Sequence, residues 1–248
     1  MEIVDRDEDG KVRTRAQVEG GKLEGEVLSY DDEERLRLRA AYRGGVLHGE
    51  SLRYDEEGRV IEKSMFREGK LDGETVSYDE QGRFAQRMKM SAGKQDGETS
   101  IYLDGVLRTR LFFIKGKQTG PFTAYDESGA EVVRSTYENG KLSGEAVYKD
   151  GQGKVIFRAV YRENKLHGEV VDYHPNGAAR ERGQYKDGKK DGAFRTYSED
   201  GKLRREVFYR GGEQRGAPVE YDENGLPRAP DDGEKKKPLL RRIAEKLG

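Results

Sequence analysis

The sequence predicts an all-β chain: tandem β-hairpins joined into one elongated, twisted, single antiparallel sheet, followed by a short C-terminal helix. Three observations lead there. The composition is too polar for a thick core, one 24-residue pattern recurs along the chain, and apolar residues alternate with charged ones inside each copy. Of 248 residues only 33% are hydrophobic and 38% are charged, and the mean hydropathy is -1.02. Such a chain either stays disordered or forms a thin array in which each unit touches only its neighbours. Pattern decides between the two.

The pattern is Gly-Lys-Leu-x-Gly-Glu. It starts at Gly21, Gly45, Gly69, Gly93, Gly116, Gly140, Asn164, Gly188 and Gly212, with a spacing of 24 residues broken once by a spacing of 23. A second glycine follows at Gly25, Gly49, Gly73, Gly97, Gly120, Gly144, Gly168, Gly192 and Gly216. Five residues later stands an aromatic: Tyr30, Tyr54, Tyr78, Tyr102, Tyr125, Tyr173, Tyr197 and Tyr221. The sixth copy departs, with Tyr148 one place early and Lys149 in its stead. A second large residue precedes each new unit, at Tyr42, Phe66, Met90, Phe113, Tyr137, Tyr161, Tyr185 and Tyr209. Together the two positions hold 13 of the 14 tyrosines, a placement that disorder does not produce.

Within a unit the period is two. Leu36, Leu38, Ala40 and Tyr42 alternate with Arg35, Arg37 and Arg39, the signature of a strand with one apolar and one charged face. Glu50, Leu52 and Tyr54 likewise oppose Ser51 and Arg53. Asp/Asn-Gly and Gly-Lys punctuation marks both connections as turns. Each unit is therefore two short antiparallel strands, and some eighteen strands at ~4.8 Å would reach ~85 Å before twist. The expected organisation is a half-repeat cap over 1–20, nine repeats over 21–225, a linker over 226–233 and a basic amphipathic helix over 234–248.

The combination Gly-Lys-Leu-x-Gly-Glu…Tyr…Gly…Tyr resembles the MORN repeats, specifically the MORN-variant units of YwqK-like proteins, over roughly residues 9–225. The resemblance implies a rod-like β-sheet without catalytic activity, serving in protein binding and scaffolding. For the YwqK-like group it implies an antitoxin role, with a toxin as partner. For eukaryotic MORN proteins it implies membrane or phosphoinositide association. Departures fall at Glu34, where a turn glycine is missing, at the 23-residue unit around Gly105, and in the sixth unit. Pro121, Ala193 and Ala217 also replace the glutamate after the second glycine.

Catalytic and metal chemistry find no support. His48 and His167 share a repeat position five units apart, ~48 Å along the sheet, and His174 lies ~20 Å from His167 along an extended strand. Asp5-x-Asp7-x-Asp9-Gly10 opens like a calcium loop, but Ala16 occupies the twelfth place where a bidentate glutamate is needed. No Gly-Lys pair sits in a phosphate-binding loop. The chain lacks cysteine, and its 47 basic and 48 acidic residues give a net charge of -1, so long-range attraction of nucleic acid is not expected. No cofactor is expected, and the acidic N-terminus without an apolar stretch points to the cytoplasm.

The residues expected to meet a protein partner are Tyr30, Tyr54, Tyr78, Tyr102, Tyr125, Tyr173, Tyr197 and Tyr221, because tyrosine carries interface energy well; packing along the sheet competes for them. In the tail, Leu239, Leu240, Ile243 and Leu247 line one side of a short helix. Lys235, Lys236, Lys237, Arg241, Arg242 and Lys246 make it basic. Three roles are open to it: covering the last strand's free edge, docking in a partner groove, or lying on an anionic membrane surface at the inner face.

Overall fold

The architecture is that of a computed structural model, which describes residues 1–228. The tail residues Lys235, Lys236, Lys237, Leu239, Leu240, Arg241, Arg242, Ile243, Lys246 and Leu247, the helix expected to contain them and most of the expected linker lie outside the described residues. The described residues contain strands and turns and no helix. The strands are β1 (Glu2–Arg6), β2 (Val12–Glu19), β3 (Lys22–Tyr30), β4 (Leu36–Arg43), β5 (Val46–Tyr54), β6 (Val60–Arg67), β7 (Lys70–Tyr78), β8 (Phe84–Ser91), β9 (Lys94–Leu103) and β10 (Val106–Ile114). They continue with β11 (Lys117–Tyr125), β12 (Glu131–Glu138), β13 (Lys141–Leu142), β14 (Gly144–Lys149), β15 (Val155–Arg162), β16 (Lys165–Tyr173) and β17 (Ala179–Lys186). The last are β18 (Lys189–Lys190), β19 (Gly192–Tyr197), β20 (Leu203–Arg210) and β21 (Glu213–Glu220).

Successive strands pair antiparallel, with β13 and β14 both on β12 and β18 and β19 both on β17, so all 21 form one open meander. β13 and β14 are two halves of one strand interrupted at Ser143, and β18 and β19 are two halves interrupted at Asp191.

Two kinds of turn alternate. At the Gly-Lys end, two residues with positive φ make the tight connection, for example Glu68 (φ 50°) followed by Gly69 (φ 75°). That geometry matches the right-handed twist of the strands it joins. The N–H of the glycine then donates to a carbonyl of the preceding unit: Gly45 to Leu23, Gly69 to Leu47, Gly93 to Leu71, and so on to Gly212 and Lys190. The lysine of the motif lays its aliphatic stem on the next glycine, with Lys22 Cβ 3.6 Å from a Cβ built at Gly45. The motif thus ties hairpin to hairpin.

At the opposite end an aspartate organises the turn. Asp7, Asp31, Asp55, Asp79, Asp126, Asp150 and Asp222 each accept two backbone N–H groups through Oδ1. Asp7 is one of this set, so the calcium-like Asp5-x-Asp7-x-Asp9 run is an ordinary turn of the array. The second glycine of each unit sits in a bulge. A Cβ on Gly73 (φ 125°) would meet Met65 Cβ at 2.8 Å, so the neighbouring strand occupies the space a side chain would need.

The departures from the pattern are absorbed locally. Glu34 keeps the left-handed conformation (φ 57°) that glycine holds in other units, and its carboxylate accepts the N–H of Val12 at 2.8 Å. Asn164 repeats the device, with Oδ1 accepting the N–H of Leu142 at 2.7 Å. The short unit replaces its aspartate turn by the two-residue turn Asp104-Gly105, with both φ positive.

A row of small side chains crosses one face of the sheet through successive register pairs. It includes Ala16↔Val27, Val27↔Ala40, Ala40↔Ser51, Ser51↔Ser64 and Ser64↔Thr75, and later Ala146↔Ala159, Ala159↔Val170 and Val170↔Gly183. Ala146, Ala159 and Ser64 are fully buried although the described residues form no second layer. Larger neighbours on the same face cover them, as Phe194 does for Gly183. Tyr185 and Tyr209 flank Phe194 edge-on at 5.4 and 5.2 Å.

Candidate functional site

The opposite face carries the charges. Its central positions alternate along the sheet between an apolar or small residue and a cation: Leu28↔Arg39, Arg39↔Leu52, Leu52↔Lys63, Lys63↔Val76 and Val76↔Arg87. The cations recur once per hairpin, at Arg15, Arg39, Lys63, Arg87, Arg110, Arg134, Arg158 and Arg182, until Glu206 breaks the series. Members of this ladder are two strands apart, or ~10 Å.

Glutamates run beside them. Arg39 meets Glu26 at 2.5 Å, Lys63 meets Glu50 at 2.5 Å, Arg87 meets Glu74 at 2.6 Å and Arg110 meets Glu98 at 3.4 Å. Arg158 meets Glu145 at 3.4 Å and Arg182 meets Glu169 at 3.3 Å. These pairs are well exposed, so each adds little stability. Their clearest effect is electrostatic order, a striped surface of fixed register. The hydrogen bond from Arg39 to Glu26, with the nearby Tyr54, raises the Arg39 pKa; Glu74 and Tyr102 do the same for Arg87.

The structure places the eight candidate tyrosines on this charged face. Tyr102 lines one shallow depression with Arg87, Glu98, Ser100 and Arg110, and Tyr173 lines another with Arg134 and Arg158. All eight are half-buried. The second aromatic series, Tyr42 to Tyr209, lies on the other face, as Tyr137 packing on Phe122 and Tyr185 on Phe194 show. The expectation of one apolar and one charged face is therefore corrected, since the first tyrosine series shares the face of the charges. The two series stand an odd number of residues from the small-residue row in one case and an even number in the other, and a strand sends them to opposite sides. Tyr148 illustrates the rule. Shifted by one residue, it leaves the charged face and packs edge-on against Phe157 at 5.6 Å. Lys149 takes its former place and pairs with Glu131 at 2.8 Å.

Sequence reasoning singled out the tyrosines and missed the cation ladder, although the 24-residue recurrence of arginine and lysine was the available signal. The histidines are scattered: His167 Nδ1 lies 3.3 Å from Asp187, and His174 Nε2 meets the Tyr197 carbonyl at 2.9 Å. Among the described residues no three metal-binding side chains gather, and no helix is long and apolar enough to cross a membrane.

No curated protein matches the chain. Among solved structures, similarity is found to a TcdB2–TccC3 crystal structure at 14% identity and a TM-score of 0.19, covering 91% of this chain and 17% of that one. A Photorhabdus luminescens Tc holotoxin pore with a TccC3 mutation gives 14% identity and a TM-score of 0.19, over 90% of this chain and 15% of the other. The chain thus spans less than a fifth of either. A family model described as the MORN repeat variant matches residues 132–150, 166–187 and 190–210. These segments are similar to MORN-variant repeats and continue in register with the rest of the sheet.

Proposed function

We propose that this MORN-variant chain is a non-enzymatic repeat scaffold whose charged face holds a protein partner. MORN repeats as a family generally serve as scaffolds of this kind. One observation carries the reading: tyrosines, arginines and glutamates recur in fixed register across the face, the tyrosines half-buried and the exposed arginines held by paired glutamates. Such side chains are pre-ordered, so a partner that meets them loses little further side-chain entropy. Tyrosine and arginine are also the residues that concentrate binding energy at interfaces.

The finer reading is a YwqK-like, antitoxin or immunity-type binder acting in the cytoplasm on a toxin. The resemblance of the motif supports it. The test is co-expression of the full chain with the product of each adjacent gene. Growth rescue and co-purification support the reading. Loss of both in a Tyr54→Ala/Tyr78→Ala/Tyr102→Ala variant that keeps its β-sheet circular dichroism ties them to this face. A chain that protects against no neighbour and co-purifies with none overturns the antitoxin reading. If it instead sediments with anionic vesicles, and loses that when residues 234–248 are removed, the basic tail is the functional element.

A further inference from the structure

The ladder on the charged face has one place where both partners of a cation are missing. In the regular units a glutamate stands 13 residues before the cation and a tyrosine 15 residues after it, as Glu26 and Tyr54 do for Arg39. For Arg134 those places are held by Pro121 and Lys149. Lys149 is occupied by Glu131 at 2.8 Å. Arg134 is exposed and makes no ion pair among the described residues. Two other positions lack the glutamate: the cation place that Ala217 would serve lies outside the described residues, and at Ala193 the cation is lost too, since Glu206 stands there and takes Arg195 at 2.5 Å. Arg15, at the edge, also makes no ion pair but keeps Glu2 in the corresponding place.

Arg134 opens onto a shallow cleft of about 490 Å³. Buried Val147 lies in it, with Lys154, Arg158 and Tyr173 around the wall. Glu145 also faces the cleft, 3.4 Å from Arg158. The cleft therefore holds three cations against one carboxylate.

We infer that Arg134 is a docking point for the carboxylate of an acidic segment of a partner protein. The inference deepens the scaffold reading and rests on it. The repeat itself supplies the template, because the incoming Asp or Glu takes the role that Glu26, Glu50, Glu74 and Glu98 fill within the chain. Guanidinium offers such a carboxylate two parallel donors. An unmet arginine inside the ladder, where the other cations from Arg39 to Arg182 are each paired with a glutamate, also sets the register of the partner along a surface that is nearly periodic. Without it, a partner could bind one hairpin to either side equally well.

The probe is a hexaglutamate peptide titrated into the ¹⁵N-labelled full chain at low salt. The Nε–H resonance of Arg134, assigned by its loss in Arg134→Lys, is expected to shift saturably, while that of Arg39 stays in place. Pro121→Glu restores the missing internal partner without removing the cation, and should weaken the titration at least tenfold. An unmoved Arg134 resonance, equal shifts at all ladder arginines, or unchanged affinity in Pro121→Glu would each overturn the assignment. Arg134-dependent binding of phosphatidylserine vesicles without any response to the peptide overturns it as well, in favour of lipid. Should the chain capture a neighbouring gene product that Pro121→Glu still holds, the docking point fails and the scaffold reading stands. If the wild-type chain captures none, the scaffold reading fails while the peptide titration still decides the role of Arg134.

Discussion

Gly183→Ala isolates the contact on which the single-layer core depends. Gly183 sits in β17, opposite Phe194 in β19, in the row where other units carry Ala40, Ser64 or Ala159. A Cβ built there falls 2.3, 2.4 and 2.6 Å from three atoms of the Phe194 ring. The backbone is not in the left-handed region, so alanine meets no conformational strain and should by itself favour the strand by roughly 0.5–1 kcal/mol. The steric term opposes this. The ring must move from a site where it is 5% exposed, flanked by Tyr185 and Tyr209, with Lys190 Nζ 4.2 Å from its centroid. Overpacking costs about 1–3 kcal/mol, and the two aromatic pairs about 0.5–1.5 kcal/mol each if lost. A net destabilisation of about 2 kcal/mol is expected.

The assay is urea unfolding followed by tyrosine fluorescence and circular dichroism. Amide exchange across β16 to β20 serves as the local readout, since repeat arrays need not unfold in one step. Phe194→Val, which installs the residue found in the same row at Val27 and Val170, should remove most of the penalty of Gly183→Ala in the double variant. A Gly183→Ala chain as stable as wild type, or a double variant with no coupling, would refute this account of the core.

Three further outcomes are expected. The hydroxyls of Thr75 and Thr99 are buried without a hydrogen-bond partner; Thr99→Val should raise stability by about 1 kcal/mol, visible as a higher urea midpoint with unchanged slope. At Glu34, alanine keeps the left-handed backbone and loses the bond to Val12, so Glu34→Ala should cost about 1–2 kcal/mol. Glu34→Gly relieves the backbone and should stay near wild type, and equal effects of the two would refute the compensation. Acid should loosen the aspartate turns. The Ser128 hydroxyl and the Ala130 N–H hold Asp126 below the usual carboxylate value, and the Leu226 N–H does so for Asp222. Bonds from Ser198 and Lys202 bring Asp200 to about 2. A depressed native value means that the contribution is complete above the unfolded value of about 3.9 and is lost as pH falls toward about 2. Urea midpoints should therefore be level above pH 5 and drop below pH 4, and a rise on acidification would contradict the turn geometry.

Much of the fold was legible because its period is local. Gly45, Leu47 and Tyr54 read as turn, strand and face without knowledge of any distant residue, and the pairing of neighbouring strands follows from the two turn types. Which face an aromatic occupies was harder to read, because it depends on bulge position. The bulges at Gly49 and at Arg53/Tyr54 shift register by amounts that alternation alone does not reveal. The unmet Arg134 was hidden for another reason. Pro121 and Lys149 are 28 residues apart in sequence, and only strand pairing relates both to one guanidinium.

The serial tie from each Gly-Lys turn to the preceding one has a mechanical consequence. Hydrogen bonds join residues no more than 25 apart among those described, the longest being Arg162 to Asp187. Among the described residues no strand clamps another that is remote in sequence. A pull on the two ends therefore loads one hairpin at a time, and the sheet pays out like a zipper from its edge. Slack is released in steps of one 24-residue unit, and refolding can begin at whichever hairpin remains closed.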